Sequence, residues 1–186
     1  MSAARVIEFP VECKTVLSKS KIGSLDYAVN PYFGCWHGCL YCYATFMTKF
    51  RDAPGEWGEF VGVKVNAPEV LAREAARKKP GVVCFGTVCD AYQPVERRRR
   101  ITRACLKAFV DVAGWEVGIL TKSDLVTRDV DVISSLESPD VGFTVTTLDE
   151  RLAATLEPGA PPPARRLAAM KALAALSEEL DAHPRS

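Results

Sequence analysis

The chain has 186 residues, 24 lysines and arginines against 23 aspartates and glutamates, and 48% hydrophobic residues, a composition long enough to bury a sizeable core as one domain. A net charge of +1 excludes bulk attraction to nucleic acid and leaves only local patches to consider. No apolar run nears the roughly 20 residues of a membrane span, and Met1 to Pro10 lacks a secretory signal, so a cytoplasmic protein with no membrane partner is expected.

In chain order, Val16 to Asn30 reads as an irregular or hairpin segment leading into Asn30-Pro31-Tyr32-Phe33-Gly34, and a coil rich in Gly and Pro follows from Asp52 to Gly58. From residue 60 onward, apolar bursts alternate with amphipathic stretches, the pattern of an α/β fold with a parallel sheet. The strands predicted are Val82 to Phe85, Glu116 to Leu120 and Val141 to Val145. Helices are predicted over Pro68 to Lys79, Val95 to Val112, Arg128 to Leu136 and the Ala-rich Pro163 to Leu180, with Glu157 to Pro163 as a stiff loop between helices. The strands end in Gly86-Thr87-Val88-Cys89-Asp90, Thr121-Lys122-Ser123-Asp124 and Thr146-Thr147-Leu148-Asp149. Such carboxyl ends are where parallel sheets hold ligands. Arg97 to Arg100 with Arg103 spread around a helix start and read as solvated charge, as do Lys78-Lys79 and Arg165-Arg166. Trp36, Trp57 and Trp115 read as packing residues.

Seven cysteines without an export signal point to thiolate chemistry rather than disulfides. Three of them, Cys35, Cys39 and Cys42, follow the spacing C-x3-C-x2-C, which chance would supply roughly once in a hundred such chains. Three readings compete. A helix would bury the three thiols on one face, but Pro31, Gly34 and Gly38 argue against a helix. Zinc accepts Cys3His sets such as Cys35, His37, Cys39 and Cys42, yet His37 is crowded between the cysteines and no distant second pair exists. The third reading is an iron–sulfur cluster held by three thiolates, leaving one iron open to a small molecule.

At this point the chain resembles the radical S-adenosylmethionine (SAM) superfamily, whose C-x3-C-x-aromatic-C signature is matched by Cys35, Cys39, Tyr41 and Cys42. Asn30-Pro31-Tyr32, Cys35-x-His37-Gly38-Cys39-x-Tyr41-Cys42-Tyr43, Gly86-Thr87-x-x-Asp90-x-Tyr92-Gln93-Pro94-x-Glu96, Thr121 to Leu125, Phe143 to Thr146 and Leu156 to Pro161 are similar to the spore photoproduct lyase branch, also described as DNA repair photolyase-like. The resemblance implies a partial (βα) barrel with about four of the usual six units, in a single domain. Its parts are an N-terminal segment 1–24, a core 25–175 and a polar tail 176–186. It implies a [4Fe-4S] cluster on Cys35, Cys39 and Cys42, with SAM chelated at the open iron and cleaved to a 5′-deoxyadenosyl radical for hydrogen abstraction. Tyr41 and Tyr43 would flank SAM, Lys122 would meet its carboxylate, and Asp90 and Thr144 would add to the pocket.

The hydrogen-donor cysteine of that branch is matched by Thr87, so Cys89, two residues on, is the candidate donor, while Cys84 and Cys105 read as packing thiols. The substrate expected is an unidentified hydrogen-abstraction target, ranked above a thymine lesion in DNA. A low-potential donor such as a flavodoxin or ferredoxin would be the electron source. The short barrel further implies an open sheet edge and an uncovered helix face, and with them one of three outcomes: poor solubility, a homodimer that supplies the missing wall, or a shortened gene product. The rival readings are a non-catalytic cluster or zinc carrier, and a shortened, inactive remnant.

Overall fold

Residues 6–50 and 53–182 are described by the computed structural model. Strands follow in the order β1 (Ile7–Val11), β2 (Leu17–Lys19), β3 (Tyr27–Val29), β4 (Tyr32–Phe33), β5 (Phe60–Lys64), β6 (Val82–Phe85), β7 (Glu116–Thr121) and β8 (Ser138–Phe143). Five make the main sheet, ordered β2-β3-β6-β7-β8. Of these, β3, β6, β7 and β8 run parallel, and β2 folds back on β3, so that of the two expectations for Val16 to Asn30, irregular or hairpin, the hairpin is observed. The fold class is therefore α/β, as anticipated.

Side-chain alternation along the strands decides which face is covered. Val83, Phe85, Val117 and Ile119 point into a core shared with Val70, Leu71 and Ala75 of α1 (Ala67–Ala75) and with Cys105 and Leu106 of a later helix. Each buried Val, Leu, Ile or Phe side chain among these contributes about 1.5–3 kcal/mol relative to exposure. The opposite face carries Cys84, Gly118 and Leu120, is only partly covered, and opens toward the cysteine loop.

A second, three-stranded sheet, β1-β5-β4, was not foreseen. Its β1 contains Pro10 and its β4 has two residues, too few for any periodicity to show. The sheet matters because β4 delivers the chain into the cysteine loop.

Several boundaries differ from expectation. The single helix over Val95 to Val112 is broken into α2 (Glu96–Arg99) and α3 (Ile101–Leu106), with Arg100 in the left-handed region at φ 53°. The cause is Glu96, which is fully buried and accepts from the Thr102 and Arg103 backbone N–H groups, from Arg128 and from the Tyr32 hydroxyl. A continuous helix would carry those N–H donors away from the carboxylate. The segment at Arg128 to Leu136 is a 3-10 turn (Asp124–Asp129) followed by the short α4 (Val130–Ile133). Strand β8 starts at Ser138 rather than Val141 and includes Pro139, which is tolerated because β8 lies at the sheet edge.

Helix α1 stops at Ala75, short of Lys79. There Lys78 turns to the Leu17 carbonyl at 2.5 Å and to Glu74 at 2.8 Å. Asp149 caps α5 (Glu150–Leu156) through the Arg151 and Leu152 amides, and α6 (Pro163–Ala182) runs past Leu180 into the stretch expected as a tail. The ends of the expected N-terminal segment and tail, and Asp52 of the expected coil, lie outside the described residues. No described helix is long and apolar enough to cross a membrane.

Candidate metal centre

The chain leaves β4 at Phe33 and enters the cysteine loop through Gly34, whose φ is +81° and where a Cβ would lie 2.7 Å from the Phe60 carbonyl oxygen. The loop is not helical, so the reading of one buried helical face fails. It is a run of turns, with Gly38 N–H donating to the Cys35 carbonyl at 3.2 Å and Cys42 N–H to the Cys39 carbonyl at 3.1 Å. Behind it, the fully buried Gln93 accepts from Trp36 N–H at 2.8 Å and donates to the Gly34 carbonyl at 3.3 Å. In front, Leu40 N–H donates to the Leu156 carbonyl at 2.9 Å and Gly159 N–H to the His37 carbonyl at 3.0 Å. Neighbours on two sides thus hold the loop by its backbone.

Cys35, Cys39 and Cys42 are free thiols and all line one cavity of about 190 Å³. Asp90 N–H points at Cys35 Sγ at 3.5 Å, the kind of donor that steadies a bound thiolate. Burial pushes the Cys35 thiol well up, with the Asp90 charge adding to the rise, and burial also raises Cys39 despite the Lys122 charge. Among the described residues, no three His, Cys, Asp or Glu side chains converge on a single ion. A zinc ion needs four donors about one point, whereas a cubane meets each thiolate at a separate iron. His37 is buried with its Nδ1 turned to Asp90 Oδ2 at 3.3 Å, away from the role of a fourth zinc donor. A soft, all-sulfur donor set around one cavity fits an iron–sulfur group.

The opposite wall comes from the strand ends. Asp90 accepts from Tyr92 N–H at 2.9 Å, Thr121 Oγ1 at 2.7 Å and Lys122 N–H at 2.7 Å. Burial would raise its pKa, but the His37 imidazole and these donors hold the carboxyl down at about 2. Asp90 is therefore a strut that orients Lys122. The Lys122 ammonium lies 5.8 Å over the Tyr41 ring and 3.9 Å from Glu157 Oε1. Tyr41 donates to Glu157, and the exposed Tyr43 donates to the Thr87 carbonyl and stacks on Phe46 at 6.4 Å. Thr144 lines the cavity, and its carbonyl is fixed by Arg166 at 3.1 Å. Cys89 also lines it, almost fully buried, with Sγ 3.7 Å from Asn30 Oδ1. Burial, opposed only in part by Lys64, pushes its thiol up to about 12.

A sequence profile of the radical SAM superfamily matches residues 29–178. The chain belongs to that superfamily. An uncharacterized protein of Methanocaldococcus jannaschii is 37% identical over 163 residues, covering 88% of this chain and 61% of that protein. An uncharacterized protein of Mycobacterium tuberculosis is 33% identical over 183 residues, covering 93% of this chain and 53% of its own length. This radical SAM chain thus spans between half and two thirds of these relatives. Its fold is similar to spore photoproduct lyase complexed with dinucleoside spore photoproduct, with a TM-score of 0.70 at 18% identity over 90% of this chain and 48% of that one. A mutant of that lyase with bound AdoMet and dinucleoside spore photoproduct matches at a TM-score of 0.70 and 17% identity, over 90% of this chain and 47% of that one.

Every residue expected at the radical SAM site borders the same cavity: the three cysteines, Tyr41, Tyr43, Cys89, Asp90, Lys122 and Thr144. Sequence reasoning missed three supports. Gln93 and Glu157 were seen only as parts of matching segments. Arg166, read as surface charge, is 1% exposed and lies 2.6 Å from Glu157. Its signal was present: Arg166 shares a helical stripe with Pro163, Ala169 and Leu173, all buried or half-buried. Arg165 does stay exposed, paired with Asp124.

Proposed function

We propose that this cavity binds a [4Fe-4S] cluster through Cys35, Cys39 and Cys42 and holds SAM against the open iron. The protein would then be a radical SAM enzyme abstracting hydrogen from an unidentified substrate. The observation that carries this reading is the meeting of three free thiols with a strand-end lysine in one cavity. Held by these three cysteines, a reduced cluster would supply the electron for reductive cleavage of SAM to a 5′-deoxyadenosyl radical.

The chain's own residues do the rest. Lys122, oriented by Asp90, offers its ammonium to the SAM carboxylate. The Tyr41 ring would lie by the adenine, Tyr43 is held over the strand end by Thr87, and Thr144 would add to the pocket from the cavity lining. Cys89 would give its S–H hydrogen atom to a product radical, leaving a thiyl radical that one electron from the flavodoxin or ferredoxin, with a proton from water, would return to the thiol. Burial keeps its S–H intact, and Asn30 holds the Thr87-Val88-Cys89 turn by accepting from Val88 N–H at 2.8 Å. The relation of fold to a lyase complexed with dinucleoside spore photoproduct keeps a nucleic-acid lesion among the substrates to test. The proposed setting is the cytoplasm, with a reduced flavodoxin or ferredoxin as electron donor and a second copy of the chain as a partner to test.

Anaerobic reconstitution with iron and sulfide, followed by dithionite and SAM, tests the reading. A brown chromophore and 5′-deoxyadenosine are expected from the native chain, and neither from Cys39→Ala. Iron uptake without 5′-deoxyadenosine would reduce the protein to a cluster carrier, and zinc uptake without colour would remove the cluster altogether. Unchanged product formation by Cys89→Ala would withdraw the donor role.

A further inference from the structure

Glu157 and Arg166 form an ion pair in which both side chains are 1% exposed. The carboxylate is engaged on both oxygens. Oε1 accepts from Thr146 Oγ1 at 2.8 Å and from the Tyr41 hydroxyl, while Oε2 faces Arg166 Nη2 at 2.6 Å. Burial would raise the Glu157 pKa, but Tyr41, Arg166 and Thr146 bring it below the usual range, so the group is ionised. The guanidinium is equally fixed, donating to the Pro161 carbonyl at 2.8 Å and the Thr144 carbonyl at 3.1 Å.

A second cation stands on the same carboxylate at a different distance. Lys122 Nζ is 3.9 Å from Oε1, within Coulombic reach but outside hydrogen-bond range. Among the described residues, no oxygen accepts a hydrogen bond from this ammonium. One buried negative charge thus lies between two positive ones, and Arg166 holds it the more closely. Without Arg166, a desolvated carboxylate would be left with Lys122 as its nearest cation, and a movement of about 1 Å would bring the two into a charge-assisted hydrogen bond.

We infer that Glu157 and Arg166 are positioning residues: Arg166 satisfies Glu157 so that Lys122 stays available to the carboxylate of a ligand in the cavity, while Glu157 fixes the Tyr41 ring beside it. This rests on the proposed binding of SAM. It assigns a task to a buried pair that does not itself line the cavity.

The test is equilibrium dialysis of reconstituted protein against SAM and against 5′-methylthioadenosine, which has the adenine and ribose but no carboxylate. Arg166→Met is expected to weaken SAM about tenfold while methylthioadenosine stays within about twofold. Iron content and visible absorbance should match the native chain. Adding Glu157→Gln to Arg166→Met removes the charge that captures Lys122, so most of the lost SAM affinity should return. Arg166→Lys, which keeps the cation, should hold SAM within about threefold and serves if the methionine variant does not fold.

Equal losses for both ligands in Arg166→Met would overturn the inference, as would a double variant weaker than Arg166→Met alone or a tenfold selective loss in Arg166→Lys. A native chain that binds iron but no SAM would instead bring down the proposed function, and the inference with it.

Discussion

Gly159 is where the loop after α5 touches the cysteine loop, and an alanine there has a calculable effect. Its methyl would stand 2.2 Å from the Trp36 carbonyl oxygen and 3.0 Å from both Trp36 C and His37 Cα. All three are backbone atoms, so no rotamer change relieves the contact. Restoring ordinary separation requires the loops to part by about 1 Å or more. That movement disrupts the Gly159-to-His37 hydrogen bond at 3.0 Å and strains the Leu40-to-Leu156 bond at 2.9 Å. With about 1 kcal/mol for each bond and about 1–3 kcal/mol of overpacking strain, the loss is about 2–5 kcal/mol. For a chain of this size that lowers Tm by roughly 5–15 °C. Differential scanning calorimetry of Gly159→Ala beside Gly23→Ala, a site with nothing within 4 Å, provides the comparison. A melting temperature for Gly159→Ala within about 2 °C of the native chain would refute the reasoning, because the loops would then not be held as tightly as the geometry requires.

Glu96→Ala should cost about 3–5 kcal/mol in urea unfolding, because it strands Tyr32, Thr102 and Arg103 donors and takes one carboxylate from Arg128; a loss under about 1 kcal/mol would contradict the account of the helix break. Glu74 predicts an acid-side effect. Burial pushes it up, but Lys78, Thr15 and the Leu17 and Val16 amides bring it down to about 2. A carboxyl depressed on folding stabilises fully above its ordinary value of 4.5 and loses that contribution as pH falls through about 2. The native chain should therefore exceed Glu74→Gln in stability at about pH 6, with the gap closing progressively as pH falls from about 4.5 through about 2, as followed by thermal melts across pH.

The cysteine triplet was legible because its pattern is local: the sulfurs that line one cavity lie within eight consecutive residues, Cys35 to Cys42. Asp90, Lys122 and Thr144 were legible for a different reason. Parallel strands present their carboxyl ends on one side, so the polar residues following β6, β7 and β8 meet without any knowledge of packing. What did not show was tertiary. Arg97 to Arg100 favour helix by intrinsic preference, and only the buried Glu96, reaching past them to Thr102 and Arg103, forces the turn at Arg100. Arg166 sits in an alanine-rich helix where charge usually faces water, and its partner lies across a proline-rich loop. The stripe with Pro163, Ala169 and Leu173 marks Arg166 as facing inward, but no spacing in the sequence names the partner of either Glu96 or Arg166.

Three buried carboxylates explain how the cavity keeps its form. Asp90 joins the end of β7 to His37 and Tyr92; Glu96 joins β4 to α3 and Arg128; Glu157 joins Tyr41 and Thr146 to Arg166. A desolvated carboxylate is stable only with donors on several sides, so each of these groups dictates where its donors stand. Among those donors are the backbone of Lys122 and the side chain of Tyr41, which border the cavity. The walls are thereby set by charges that make no use of a ligand, which lowers the ordering cost when one binds. The same logic ranks the substitutions: deleting one member strands the others in low dielectric, whereas neutralising both members of a pair does not. Arg166→Met with Glu157→Gln should for that reason outperform Arg166→Met alone, although it departs further from the native sequence.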